Sequence, residues 1–370
     1  MGFMPTTPDR VRDLIQASGL SQGDFALRVG LNDSKLSKSL SGARRFSSLD
    51  LARIAEICEV TVDWLITGEE PPLALAARTT GGSAGAAVSL AKRYSTMRSD
   101  MAAIGYPQPW QPVNNRSGTG TWTDQGRKLA EAALEKLREA GRSLGQDSLP
   151  ALVEEVFGAD VAIAELGPDF DGLATSTDEV KLIVLATSHV AARQRFTLAH
   201  ELGHLLAGDD QGLHLDRDVF DKAQSKDPTE ARANAFAASF LMPEEHLRRA
   251  VGSTGLTEAA FADLACDLMV TPSALAYRLL NLRLIDAGTC DRYKTLTAAK
   301  AASMTGRSEE FARHVAEAKT PRPPGLLVRD TYAAYDSGST TLRPYANLMG
   351  VDVETLRDAL EAESEVSDFS

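Results

Sequence analysis

RFTLAHELGHLLAG, residues 195–208, is the stretch on which the reading of this chain turns. Six histidines are spread over 370 residues, yet two of them, His200 and His204, stand four apart here, with Glu201 directly after the first. From about Val190 to Ala207 the sequence predicts one helix, with Gly208 placed to stop it. Residues four apart on a helix share a face about one turn apart, so both imidazoles can reach a single ion. Glu201 is rotated about 100° around the axis, since a turn takes ~3.6 residues. It is badly placed to ligate and well placed to take a proton from a water held at that ion. Leu198, Leu202, Leu205 and Leu206 fall on the other side and predict a core contact.

His-Glu-x-x-His on a helix is the spacing of metal-dependent peptide hydrolysis. Neutral imidazole nitrogen and tetrahedral geometry suit Zn2+, and a catalytic zinc needs a third protein ligand and one open position. Two residues compete for that role on spacing. Asp210 falls where a longer His-x-x-Gly-x-x-His motif carries its third ligand, although Ala207 replaces the glycine of that turn. Glu230 opens a second helix, DPTEARANAFAASFLMP, which could pack antiparallel to the first. Glu230 has a second reading as well: with Asp227 as N-cap and Pro228 at the first helical position, it stands where a capping box places its acid. His214 and His246 are weaker candidates. Arg193, Arg195 and Arg232 read as arginines of the surface or the core edge.

RQRFTLAHELGHLLAG followed by EARANAFAASFLMP resembles the ImmA/IrrE-type metallopeptidases over roughly residues 127–285. That resemblance implies that His200, His204 and Glu230 bind zinc and that Glu201 is the catalytic base, with a zincin-like fold in which a small sheet precedes the site helix. It favours Glu230 over Asp210. DVAIAEL (160–166) and KLIVLATS (181–188) are the best strand candidates in the chain, short, β-branched and bounded by turn residues.

The first 70 residues follow a different logic. Residues 8–67 predict five short helices. Ser21 reads as an N-cap with Asp24 three residues on, helix two as Gln22–Val29, Gly30 as the turn, Asn32 as the next cap and Asp33–Leu40 as helix three. Phe25, Ala26, Val29, Leu31, Leu36 and Leu40 are spaced to pack these helices together. RVRDLIQASGLSQGDFALRVGLNDSKLSKSLSG, with the later DWLITGEE, resembles the Cro/CI-type (Xre) helix-turn-helix. The resemblance implies that the third helix enters a DNA major groove, with Ser34, Lys35, Ser37 and Lys38 facing bases or backbone and Gln22, Arg44 and Arg45 holding phosphates. Gly23 and the acidic Asp33 depart from that pattern. Such modules bind two-fold operator sites as homodimers.

Composition sets the frame. Hydrophobic content of 43% and charged content of 24% fit a soluble globular protein large enough for more than one core. No apolar run spans a bilayer and MGFMPTTPDR carries no apolar segment, so neither membrane nor secretion is expected. Three scattered cysteines exclude a disulfide framework and point to a reducing cytoplasm. The net charge of −12 argues against nucleic-acid binding by the whole chain, but residues 1–68 are nearly neutral with their basic groups gathered between Lys35 and Arg45.

The expected architecture is α+β and mostly helical. It comprises a five-helix helix-turn-helix domain (1–70), a linker with a helical segment (71–126), a metallopeptidase domain with a small β-sheet (127–290) and a helical C-terminal region (291–370). The expected function is a DNA-binding transcriptional regulator that uses Zn2+ to cleave a protein, such as a repressor, an antitoxin-like partner or itself. The alternatives are a repressor or antitoxin-like protein whose peptidase-like domain senses a signal without cutting, and a purely structural zinc, which leaves Glu201 without a role.

Overall fold

The computed structural model describes residues 6–18, 20–58, 65–66, 83–113, 120–145, 148–167, 170–209, 213–216, 227–252 and 255–367. The chain divides into two compact units, Met1–Val88 and Ser89–Ser370, taken here in turn.

In the first unit, α1 (Thr7–Ser18), α2 (Gln22–Arg28), α3 (Asp33–Leu40) and α4 (Ser48–Ile57) start at side-chain caps wherever two of them meet at a turn. Ser21 accepts from the Asp24 amide, Asn32 from the Ser34 amide at 2.9 Å, and Ser47 forms a reciprocal capping box with Asp50. Each cap satisfies amides that the first helical turn leaves open, worth about 1 kcal/mol apiece. Gly30 turns the chain between α2 and α3 in the left-handed region, at φ +66°. Phe25, Ala26, Val29, Leu36, Leu40, Ile54 and Leu65 form the core, with Leu31 packed at its edge. The buried Arg10 ties α1 to the later chain by donating to the carbonyls of Leu65 and Ile66. The fifth helix expected near residue 65 and the Pro/Gly/Ala-rich stretch after it lie largely outside the described residues.

Helix α5 (Ser83–Ala103) begins before the boundary and continues into the second unit, where α6 (Trp122–Glu139) and α7 (Leu149–Phe157) precede a four-stranded sheet. Its strands are β1 (Asp160–Ala164), β2 (Gly172–Ser176), β3 (Lys181–Ala186) and β4 (Leu213–Asp216), in the order β1-β3-β2-β4. β1 and β3 run parallel, and β2 runs antiparallel to both β3 and β4. Helix α8 (Ala191–Ala207) crosses the sheet and packs against α9 (Pro228–Leu241), which in turn lies along α6. Every residue of α8 from Thr197 to Leu206 is buried, so this is an interior helix on all sides. Its four leucines join the main core with Phe236, Phe240 and Phe261. Gly208, at φ +71°, ends the helix where expected.

A further helical layer follows: α10 (Glu244–Val251), α11 (Glu258–Asp267), α12 (Pro272–Asn281), α13 (Ala287–Tyr293), α14 (Ala298–Met304), α15 (Ser308–Ala318), α16 (Gly325–Asp336), α17 (Arg343–Met349) and α18 (Val353–Ser367). Ile163 of β1 exchanges two backbone hydrogen bonds of 2.8 Å with Arg322, which covers the outer edge of that strand. The fully buried Arg98 of α5 bonds Asp160 of β1 through two nitrogens, each at 2.8 Å, and Asp330 of α16 at 2.6 Å. The result is a mostly helical α+β protein, as the periodicity predicts. No single helix among the described residues is long and apolar enough to cross a membrane.

Candidate metal centre

Helices α8 and α9 bring three chemically distinct side chains to one point. His200 Nε2 and His204 Nε2 lie 3.1 Å apart, and the Glu230 carboxylate reaches them at 3.3 Å each, Oε2 to His200 and Oε1 to His204. One ligand atom from each of the three falls within 4.8 Å of the others, and all three residues are buried. Small residues allow this convergence. A Cβ on Gly203 would meet the Phe236 ring at 2.9 Å, so only glycine lets α9 close on α8 at this height.

Glu230 does not serve as the cap of its helix. The N-cap of α9 is completed without it, because Asp227 accepts from the Thr229 amide at 2.8 Å and from its hydroxyl at 2.7 Å. The Glu230 carboxylate instead turns to the histidines. Asp210 lies outside the described residues. His246 is exposed on α10, and His214 falls on β4.

Two residues that spacing did not reveal complete the centre. Asn234 Oδ1 lies 3.1 Å from His200 Nδ1, and Asp209 Oδ2 lies 3.2 Å from His204 Nδ1. A carboxylate oxygen and an amide oxygen only accept, so each Nδ1 carries the proton and each Nε2 presents its lone pair inward. Asp209 is itself fixed by an ion pair with Arg232, whose guanidinium lies 5.0 Å over the Trp122 ring. Asn234 follows Glu230 by one helical turn, an i, i+4 relation that could have pointed to it. Asp209 becomes legible only once Gly208 turns the chain back.

Two nitrogen lone pairs and a carboxylate aimed at one buried point repel one another unless a positive charge sits among them. The donor set, two oriented imidazoles and one carboxylate, fits a divalent transition-metal ion, and acceptors behind both rings are the usual support of such ligands. Glu201 is fully buried beside this cluster, and its carboxylate lies against Gly172 of β2, where a Cβ would stand 3.1 Å from Oε1. Glycine at 172 thus leaves room for the acid between the helix and the sheet.

In the first unit, Gln22, Ser34, Lys35, Ser37, Lys38 and Arg45 are exposed, while Leu36, Ser39 and Leu40 hold α3 to the core. Arg44 is already engaged, 2.8 Å from Asp50 and 3.1 Å from the Ser39 hydroxyl. Gln22 donates to Asp33 at 3.2 Å, which occupies part of the acidic charge at the start of α3.

With a buried His-His-Glu cluster and the buried Glu201 next to one of its histidines, the second unit has the layout of a metal-dependent hydrolase. Residues 154–280 match the family model of Peptidase_M78, described as the IrrE N-terminal-like domain. The chain is similar to the radiation response metalloprotease IrrE of Deinococcus radiodurans, 36% identical over 102 residues, which cover 27% of this chain and 31% of that protein. It is also similar to the radiation response metalloprotease IrrE of Deinococcus deserti, 33% identical over 155 residues, 40% of this chain and 53% of that protein. The matches thus span between a third and about half of those relatives' length. They support a metallopeptidase-type domain, and with it a metal, over this part of the chain.

Proposed function

We propose that this chain is a zinc-dependent endopeptidase joined to a DNA-binding module, and that it regulates transcription by cutting a protein such as a repressor, an antitoxin-like partner or itself. The observation that carries the peptidase half is the convergence of His200, His204 and Glu230 beside the buried Glu201. In this reading His200, His204 and Glu230 hold the zinc. When bound, zinc would supply Lewis-acid polarisation of a scissile carbonyl and make an attacking water more acidic. Glu201 takes the proton of that water and delivers it to the leaving amine. Asn234 and Asp209 keep both imidazoles in the ligating tautomer.

The sheet offers a place for substrate. Among the described residues β4 is a terminal strand, and its Asp216 pairs with Gly172, the residue against which Glu201 rests. An extended peptide added to β4 would pass the catalytic acid, its carbonyls aligned by main-chain hydrogen bonds.

The DNA-binding half rests on the α2-turn-α3 arrangement and on the exposed Ser34, Lys35, Ser37 and Lys38, with Gln22, Arg44 and Arg45 beside them. Major-groove contact through α3 on a two-fold operator implies a homodimer on DNA. In this reading the chain acts in the cytoplasm, with operator DNA and a protein substrate as its partners.

The deciding experiment compares zinc-loaded wild type with Glu201→Gln on a quenched-fluorescent peptide library and on the chain itself. Wild type hydrolyses peptide bonds, and the variant retains one zinc and the fold but does not cut. Zinc uptake without hydrolysis by wild type would turn the reading toward a sensor that binds and does not cleave.

A further inference from the structure

Trp122 is the first residue of α6 and is 44% exposed, so core burial does not account for an indole there. A capping box sets its position. The Asp124 amide donates to the Thr121 hydroxyl and the Thr121 amide to the Asp124 carboxylate, both at 3.2 Å. Gly126 follows one helical turn later on the same face. A Cβ there would run into the Arg232 carbonyl and stand 2.9 Å from the Ala235 Cβ, so α6 lies against α9 at the height of Arg232. The indole is thereby laid against the Arg232 guanidinium, whose carbon stands 5.0 Å from the ring centre.

Arg232 is buried, and its charge meets two groups, the Asp209 carboxylate and the indole face. Its Nε is shut from solvent and has no hydrogen-bond partner among the described residues. A guanidinium tied to one acid alone can swivel about that acid. An aromatic ring beside it restrains the fork, because a delocalised planar cation is drawn to an aromatic face. Asp209 carries the orientation onward. Its Oδ1 takes the ion pair with Arg232, and its Oδ2 lies 3.2 Å from His204 Nδ1. The other imidazole is supported more directly, with Asn234 of α9 3.1 Å from His200 Nδ1.

We propose that Trp122 is a positioning residue of the metal centre, acting through Arg232 and Asp209 on the His204 ring. This role rests on the reading of His200, His204 and Glu230 as metal ligands. The indole works at two removes from the imidazole, so its loss loosens the hold on the metal without removing a ligand. Trp122 lies outside residues 154–280, so the centre draws support from beyond the stretch that matches the family model.

Zn2+ alone is the probe, titrated into the full-length chain in competition with a chelator of known affinity. Wild type binds one equivalent. Trp122→Leu, which keeps an apolar side chain without a ring, binds it about 3–10-fold more weakly, a smaller loss than that of Asp209→Ala. Trp122→Met, equally ringless, is measured alongside and stands in if Trp122→Leu does not fold. Trp122→Phe restores an aromatic face and recovers part of the affinity. On the Asp209→Ala background the ringless substitution has no further effect, because the link it acts through is gone. The proposal falls if a folded ringless variant holds Zn2+ as tightly as wild type, if Trp122→Phe is no better than Trp122→Leu, or if the two losses add in full. Failure of wild type to bind Zn2+ would instead overturn the metal reading beneath it.

Discussion

Asp209 holds His204 Nδ1 at 3.2 Å with one carboxylate oxygen and Arg232 with the other. The imidazole that faces the metal cluster is therefore aimed by a residue on the turn after α8. Asp209→Ala is expected to lower zinc affinity ~10–100-fold while the fold persists, the usual effect of removing a carboxylate behind a ligating histidine. Competition against a chelator of known affinity measures it. Equal affinity in the variant would show that Asp209 does not orient the ligand.

Glu230→Ala and Asp210→Ala separate the two carboxylates that the spacing allows. Glu230→Ala should lose stoichiometric zinc, and Asp210→Ala should retain one equivalent. Metal analysis of the dialysed proteins reads both.

Gly203→Val adds bulk where even a Cβ would stand 2.9 Å from Phe236. Forcing α8 and α9 apart should cost about 1–3 kcal/mol, the range for overpacked cores. It should also weaken the metal site, because Glu230 rides on the displaced helix. Urea unfolding and zinc titration of the same preparation test the two effects together.

Lys35→Ala combined with Lys38→Ala should weaken DNA binding and flatten its salt dependence, since two exposed cations of α3 are removed. Zinc content and peptide hydrolysis should be unchanged. DNA affinity equal to wild type would remove α3 from the interface.

The acid dependence of stability has a sign that can be worked out. Burial pushes the Asp160 carboxyl up to about 6, against the opposing pull of Arg98, which Asp330 shares. The folded state thus holds this proton more tightly than the unfolded chain. The contribution to stability is full below about 3.8 and is lost as pH rises through about 6. Asp160→Asn should flatten the slope of unfolding free energy across that window in denaturant melts.

Much of this was legible in the sequence because local rules decide it. The α8 limits follow from its apolar run and Gly208, and α3 is bounded as its Asn32 cap predicts. β1 and β3 were legible from their β-branched runs. β2 was not: GLATS is short and made largely of small residues, because it lies pressed under α8, where Gly172 leaves room for Thr197 and Glu201. β4 is four residues long and carries no distinctive pattern. Of the metal cluster, His200 and His204 follow from helical spacing. Glu230 needed the packing of a second helix, and Asn234 and Asp209 needed the rotation of each ring. Arg195, read as an arginine of the surface or core edge, proves to have its Nε shut away from solvent.

The Arg98 triad has a consequence for how this protein can be divided. Arg98 and Asp330 stand 232 positions apart, and Arg322 supplies the backbone partner that β1 lacks on its outer side. The stretch that matches the IrrE metalloproteases is therefore not an autonomous cassette here. Excised at its boundaries, it would carry a carboxylate stranded in its interior and a strand with an unsatisfied, adhesive flank. Trimming by a protease between α15 and α16 would sever the same ties, so the integrity of the tail governs the integrity of the sheet against which Glu201 lies.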